Sequence, residues 1–208
     1  MTGYASLAAD IGADWLVIGT ELGGTTTRQP EMWRTLIGAI RATLKGKGAA
    51  GADVKLVYGS NFDEPWKVTF WDALDGIGVD AYFGLDNNPD PTVPDLVTAW
   101  APIAANLSAL SAKWGNKKII FTEIGYRSYS LTARYPGVYK GRSPPDMQAQ
   151  VNAYEALFEG VLGLGTGGAG PPSWMGGVLI WSWHATLLDG GLCADDYTVR
   201  DKPAQGTL

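Results

Sequence analysis

Phe121-Thr122-Glu123-Ile124-Gly125-Tyr126, read beside Gly19-Thr20-Glu21-Leu22, decides the fold. Each stretch closes a short apolar run: Lys118-Ile119-Ile120-Phe121-Thr122 in one case, Trp15-Leu16-Val17-Ile18-Gly19 in the other. Each run reads as a buried strand that delivers a glutamate at its carboxyl end. Three more runs have the same character: Val54 to Tyr58, Gly76 to Phe83 and Gly177 to Trp183. The intervals between them read as helices. Pro30 to Gly46 places Trp33, Leu36, Ile37, Ile40 and Leu44 at helical spacing, with Pro30 suited to the first turn. Pro65 to Leu74 predicts a short, aromatic-rich helix and Pro94 to Trp114 a long one. Asp146 to Leu162 carries Val151, Tyr154, Leu157, Phe158 and Val161 on one face, and Tyr4 to Ile11 looks like the end of a further helix. Strands separated by helices pair in parallel, because each crossover helix returns the chain to the same end. The runs are continuously apolar rather than alternating, as expected when both sheet faces are covered. The expectation is an α/β fold with a parallel sheet, a single domain over residues 1–208, and no internal repeat. Two long loops stand out. Gly125 to Pro145 follows a strand's carboxyl end, where α/β proteins keep their sites, and Gly163 to Ser173 is a Gly/Pro-rich connector.

Composition narrows the function classes. Of the 208 residues, 46% are hydrophobic and 18% charged, which suits a packed globular core. The net charge of −5 argues against nucleic acid and against an anionic membrane surface as partners. No apolar run reaches about 18 residues, so no membrane-spanning segment is expected. Met1-Thr2-Gly3-Tyr4 has neither a charged nor an apolar leader region, so no signal peptide is read there, and the compartment stays open. The lone Cys193 cannot form an internal disulfide or a cysteine-rich metal site. The lone His184 rules out a multi-histidine zinc site and leaves a serine triad one candidate base. No metal and no organic cofactor is implied. Nine tryptophans are many for this length, and they suit either an aromatic core or flat stacking surfaces for sugars.

The chemistry lies at the strand ends. In a closed parallel barrel the carboxyl ends of the strands face one cavity, so Glu21 and Glu123 face each other across it. Two carboxylates on one cavity is what glycoside hydrolysis needs: one works as acid and base while the other attacks the anomeric carbon. Either glutamate taken alone also suits a helix cap or an arginine partner. Asn61 and Tyr82 lie at the mouth formed by two other strands. A phenol beside a nucleophilic carboxylate can orient it by hydrogen bonding. Trp181 and Trp183 offer stacking surfaces for a pyranose ring, and His184 follows the last strand. The same tyrosine and tryptophans also suit a core.

Gly19-Thr20-Glu21-Leu22, Leu74-Asp75-Gly76-Ile77-Gly78-Val79-Asp80-Ala81-Tyr82-Phe83, Phe121-Thr122-Glu123-Ile124-Gly125-Tyr126-Arg127-Ser128 and Lys202-Pro203-Ala204 together resemble glycoside hydrolase family 113 over nearly the whole chain. That family belongs to a clan of retaining TIM-barrel glycosidases, and its characterised members are mostly β-mannanases. The resemblance implies a (β/α)8 TIM barrel of which this sequence carries the C-terminal part, about five βα units, strands four to eight. It implies Glu21 as acid/base after barrel strand four and Glu123 as nucleophile after strand seven. Tyr82 would then support Glu123, and Trp181 would floor the subsite where the bond breaks. Tyr126 falls in the same post-strand motif and joins Asn61, Tyr82, Trp181, Trp183 and His184 as a candidate substrate-binding residue. Two departures stand out. Many clan members carry Asn directly before the acid/base, where Thr20 stands here, and Asn61 is the candidate for part of its work. Barrel strands one to three have no counterpart, so either the chain is truncated or another chain completes the sheet. Strand 15–19 is then expected at an open edge, with association of the chain through that edge.

The reading is a retaining hydrolase of β-1,4-linked mannan or related β-glycans, acting on a polysaccharide or oligosaccharide. Two alternatives stay open at this level: a non-catalytic carbohydrate-binding remnant of such a barrel, and an α/β interaction protein with structural glutamates.

Overall fold

The computed structural model describes residues 1–208 except 140–143, 166, 185 and 187–189. Helix α1 (Thr2–Asp10) leads into β1 (Trp15–Thr20). A short α2 (Gly23–Thr26), then α3 (Pro30–Lys45) and α4 (Ala49–Ala52), return the chain to β2 (Lys55–Asn61). Strand β3 (Ile77–Asp80) follows, then α5 (Val93–Lys113), β4 (Ile119–Ile124), α6 (Met147–Gly160) and β5 (Met175–Ile180). The five strands form one sheet in the order β1-β2-β3-β4-β5, every neighbouring pair parallel. This is the α/β architecture read from the sequence, and it is consistent with part of a TIM barrel. Strand β1 lies at an edge, as expected, and β5 forms the other. Among the described residues no helix is long and apolar enough to cross a membrane.

The inner strands are buried on both faces. Ile77 to Asp80 of β3 are all buried, and so is β4 apart from Glu123. The outermost strands are half-open, with Trp15 and Val17 of β1 and Leu179 of β5 exposed. Helix α3 buries Trp33, Ile37, Ile40 and Leu44, the stripe its 3.6-residue spacing predicts. Helix α5 starts at a reciprocal capping box between Thr92 and Asp95, and Pro94 occupies its first turn. Aromatic rings fill the core. Trp33 stacks on Phe70 at 5.4 Å, and Trp100 stacks on Phe121 at 6.2 Å.

Several boundaries differ from the sequence reading. Pro65 to Leu74 is not an α-helix; it is a turn at Pro65–Lys67 and a short 3-10 segment at Trp71–Ala73. Phe70 and Trp71 are both buried against Tyr58, and the Trp71 indole donates to the Pro65 carbonyl at 2.9 Å. Tertiary packing here overrides local preference. Strand β3 ends at Asp80: the Ala81 amide still bonds to the Glu123 carbonyl of β4 at 2.6 Å, but the Tyr82 amide turns back to the Asp80 carbonyl at 3.0 Å. Strand β5 runs Met175–Ile180, earlier than 177–183, since pairing begins where Ile119 donates to the Trp174 carbonyl.

Candidate active site

The sheet's carboxyl end opens into a cavity of about 740 Å³. Glu21, Asn61, Tyr82, Glu123 and Trp181 all line it. A glutamate just after β1 and one in β4, with two strands between them in the sheet, thus share one concave space.

Register shifts place both carboxyls. Strand β1 pairs regularly with β2 through Val17, then slips before Thr20, the residue ahead of Glu21. Strand β4 slips against β3 so that Val79 pairs with Phe121 but Asp80 pairs with Glu123. An extra residue of this kind bends a strand and re-aims the side chain beyond it. The extra residue in β4 is Thr122, whose hydroxyl turns inward and donates to Asp80 Oδ1 at 2.6 Å. Gly59 on the adjoining strand leaves room for this pair: a Cβ there would lie 3.1 Å from the Thr122 hydroxyl and 3.3 Å from Asp80 Oδ1.

Glu123 accepts a hydrogen bond from the Tyr82 hydroxyl at 3.0 Å on Oε2. Burial, and then the Glu123 carboxylate beside it, push the Tyr82 phenol far above its ordinary range, so it remains a donor. Glu21 has a different environment. Its backbone is left-handed, with φ of 52°, unusual for a residue with a side chain. Partial burial raises its pKa above the ordinary glutamate value, with further contributions from the negative charges of Glu123, Glu64 and Asp63. One carboxyl that favours its proton beside one that accepts a phenol's hydrogen bond is the division of labour an acid/base and a nucleophile require. Beneath them Asp80 is fully buried, and burial lifts its carboxyl to about 7, with Glu123 and Glu21 adding to the rise and the Thr122 hydrogen bond opposing it.

Trp181 presents a half-exposed ring to the cavity, its amide bonded to the Ile124 carbonyl at 2.8 Å. Its approach depends on Gly125, where a Cβ would fall 1.7 Å from the Trp181 carbonyl oxygen. The loop after β4 forms the opposite wall through Arg134, Tyr135 and Tyr139. The buried Arg127 holds it, donating to the carbonyls of Asp195 at 2.8 Å and Val138 at 3.0 Å, with an ion pair to Asp195 Oδ2 at 2.6 Å. Lys202, also buried, reaches back to Ser128 Oγ at 3.0 Å and to Asp196 Oδ1 at 2.5 Å. The carboxy-terminal Lys202-Pro203-Ala204 segment is therefore a clamp on the active-site loop.

Three candidates lie elsewhere. Tyr126 is a correction: its ring is fully buried and packs edge-on against Tyr154 at 5.2 Å, so it belongs to the core beneath α6. Trp183 is 56% exposed but does not line the cavity. His184 is tied through its backbone to Thr198 and Arg200 and also stands apart from it. Conversely, Arg134, Tyr135, Tyr139 and Tyr197 line the cavity without having been singled out as binding residues. Arg134, Tyr135 and Tyr139 belong to the long loop after β4, whereas Tyr197 lies beyond β5 and reaches the cavity only through the fold.

Comparison with known proteins identifies the family and the fold. A family model for glycoside hydrolase family 113 matches residues 1–202. Two solved structures of a GH113 β-1,4-mannanase, one described as a complex, superpose with a TM-score of 0.78, at 25% and 26% identity. Each match covers 99% of this chain and 57% of the other. The GH113 β-mannanase AaManA from Alicyclobacillus acidocaldarius, in complex with ManMIm, superposes at 0.76 with 23% identity, over 99% of this chain and 56% of its own. The chain thus spans a little over half the length of the mannanases it matches. A comparison with curated proteins finds no match.

Proposed function

The chain belongs to glycoside hydrolase family 113, and from that premise we propose that it forms the catalytic face of a retaining glycosidase that cuts β-1,4-linked mannan or a related β-glycan. The observation that carries the reading is the shared cavity of Glu21 and Glu123 with Tyr82 bonded to the second.

The mechanism follows from the environments. A pyranose ring stacks on Trp181, which brings its anomeric carbon over Glu123. The Tyr82 hydrogen bond occupies one carboxylate oxygen and orients the other toward that carbon. Glu21, whose surroundings favour the protonated form, gives its proton to the departing glycosidic oxygen as Glu123 forms the glycosyl ester. Glu21, now ionised, then takes a proton from water, and that water displaces Glu123 from the opposite face, the one the leaving group vacated, so two inversions retain the anomeric configuration. Asn61 lies on the Glu21 side of the cavity, where it can hold a ring hydroxyl. The single folded unit over residues 1–208 that this implies is part of the same proposal.

Chemical rescue tests the assignment. Glu123→Gln should abolish turnover of mannan and of aryl mannosides. Glu21→Ala should lose activity on mannan yet still form the glycosyl-enzyme from an activated aryl mannoside, whose leaving group needs no proton. Azide, which needs no general base, should then restore turnover and yield a β-glycosyl azide. Swapped behaviour would exchange the roles. Full activity in either variant would make its glutamate structural, and saccharide binding without turnover would leave a carbohydrate-binding protein.

A further inference from the structure

We propose that Tyr58 and Glu64 are positioning residues that lock the backbone of Glu21 in the conformation from which its carboxyl reaches the cavity. The inference rests on the reading of Glu21 as the proton donor.

Glu21 sits at φ of 52°, a left-handed conformation that is costly for a side-chain-bearing residue and persists only when neighbours enforce it. Two peptide planes flank its Cα, and both are tied to β2. The Glu21 amide donates to the Gly59 carbonyl at 2.8 Å, and the Leu22 amide donates to the Tyr58 phenol oxygen at 2.7 Å. The first bond is ordinary sheet-like pairing. The second is a side chain reaching from the neighbouring strand, and it fixes the peptide that leaves Glu21.

The phenol is itself held. Tyr58 is fully buried, and its hydroxyl donates to Glu64, 3.0 Å from Oε1 and 3.2 Å from Oε2. Glu64 is 3% exposed, unusual for a glutamate, and faces no basic partner among the described hydrogen bonds and ion pairs. It is satisfied by donors alone: Tyr58, the Thr26 hydroxyl, and the Asn61 amide at 3.2 Å. Three donors converging on one carboxyl is the pattern of an anion kept in place without a counter-ion. That anion forces the single Tyr58 hydrogen toward itself, which leaves the phenol's lone pairs facing Leu22. The same carboxylate grips the backbone of Asn61, so one buried group sets both the proton donor's turn and a candidate substrate contact. A merely structural glutamate at this depth would more simply be an apolar residue.

Among the described residues, the charged and titratable groups that share a cavity with Glu21 are Glu123, Tyr82, Arg134, Tyr135, Tyr139 and Tyr197 on one side and Glu64, Asp63 and Lys67 on the other, with Asp80 beneath. Glu64 is thus also a fixed like charge that favours the proton on Glu21.

The test uses Tyr58→Phe and Glu64→Gln in the 208-residue chain. A crystal structure of Tyr58→Phe should show Glu21 leaving positive φ. Carboxyl ¹³C NMR, with the Glu21 resonance assigned by its loss in Glu21→Gln, should show its titration midpoint moving to lower pH in Glu64→Gln. In both variants kcat/KM should fall about tenfold further on unactivated manno-oligosaccharide than on a dinitrophenyl mannoside, because only the former needs the acid. A purely structural role would lower both substrates equally. An unchanged Glu21 backbone in Tyr58→Phe and an unmoved Glu21 resonance in Glu64→Gln would overturn the proposal. If the parent chain cleaves neither substrate, the glycosidase reading falls, while the crystal structure and the titration still decide this one. Should Tyr58→Phe fail to fold, the isosteric Glu64→Gln decides alone.

Discussion

The Tyr82 hydroxyl and Glu123 Oε2 are 3.0 Å apart, a hydrogen bond that joins the segment leaving β3 to the end of β4. The phenol donates here, so the bond fixes the rotamer of the Glu123 carboxylate. Tyr82→Phe removes the donor and keeps the ring. A hydrogen bond to a charged group contributes about 1.5–3 kcal/mol, so kcat/KM should fall roughly 10- to 100-fold. The loss should appear in kcat more than in KM. Unaltered kinetics in Tyr82→Phe would mean that Glu123 orients itself without help.

Gly125 predicts a packing defect with a functional reading. An alanine Cβ would meet the Trp181 carbonyl oxygen at 1.7 Å and Tyr197 Cδ1 at 3.1 Å. A backbone oxygen cannot swing away as a side-chain end can, so Gly125→Ala must push β4 and Trp181 apart. The expected cost is about 1–3 kcal/mol of stability, with weaker saccharide binding as Trp181 leaves the cavity. Gly38→Ala is the matching control. Nothing lies within 4 Å of a Cβ there, mid-way along α3, so it should stabilise by about 0.4–1 kcal/mol. Calorimetry on the two variants decides between opposite signs.

What the sequence made legible follows from the range over which each signal acts. The strands and long helices are local patterns of apolar spacing, and α3, α5, α6 and all five strands lie within a few residues of where those patterns put them. The two glutamates were legible because strand ends in a parallel sheet share one side. Tyr126 was misread because its motif follows a strand end, yet its ring turns back under α6 to meet Tyr154, which no local pattern encodes. Glu64 lay hidden for a related reason. In Asn61-Phe62-Asp63-Glu64-Pro65 it looks like a surface turn residue, and only the fold brings Tyr58 and Thr26 onto it. The bulge at Thr122 was illegible too, since a one-residue slip in register has no composition of its own.

Asp80 gives the protein a pH dependence of stability with a defined sign. Burial, foremost, raises its carboxyl from the ordinary 3.8 to about 7. Between those two values the folded chain keeps a proton that the unfolded chain has released. Stability from this group is therefore highest at low pH and falls as pH rises through the window, by roughly 1.4 kcal/mol per pH unit. Asp80→Asn keeps an acceptor for Thr122 and cannot ionise. Urea denaturation should show the parent losing stability relative to the variant from about pH 4 to 7, and a constant difference above that. Parallel pH profiles for parent and variant would show that Asp80 titrates normally.

The sheet's two edges predict how the chain behaves in solution. Strand β1 pairs only with β2, and its outer row of backbone groups has no strand partner among the described residues. Trp15 and Val17 beside that row are exposed, as are Leu179 and Trp181 at the opposite edge. An apolar, unpaired edge strand is a template for another chain, and natural proteins blunt such edges with charge. The 208-residue chain should therefore associate as its concentration rises, seen as a growing sedimentation coefficient across the micromolar range. Val17→Lys places a charge on the β1 edge and should shift association to higher concentration. The same substitution at Val138, exposed on the cavity wall and far from either edge strand in sequence, should not. A parent that sediments as one species at every concentration would show that these edges are protected in solution. Equal effects of the two lysines would show that added charge alone, rather than the edge, governs association.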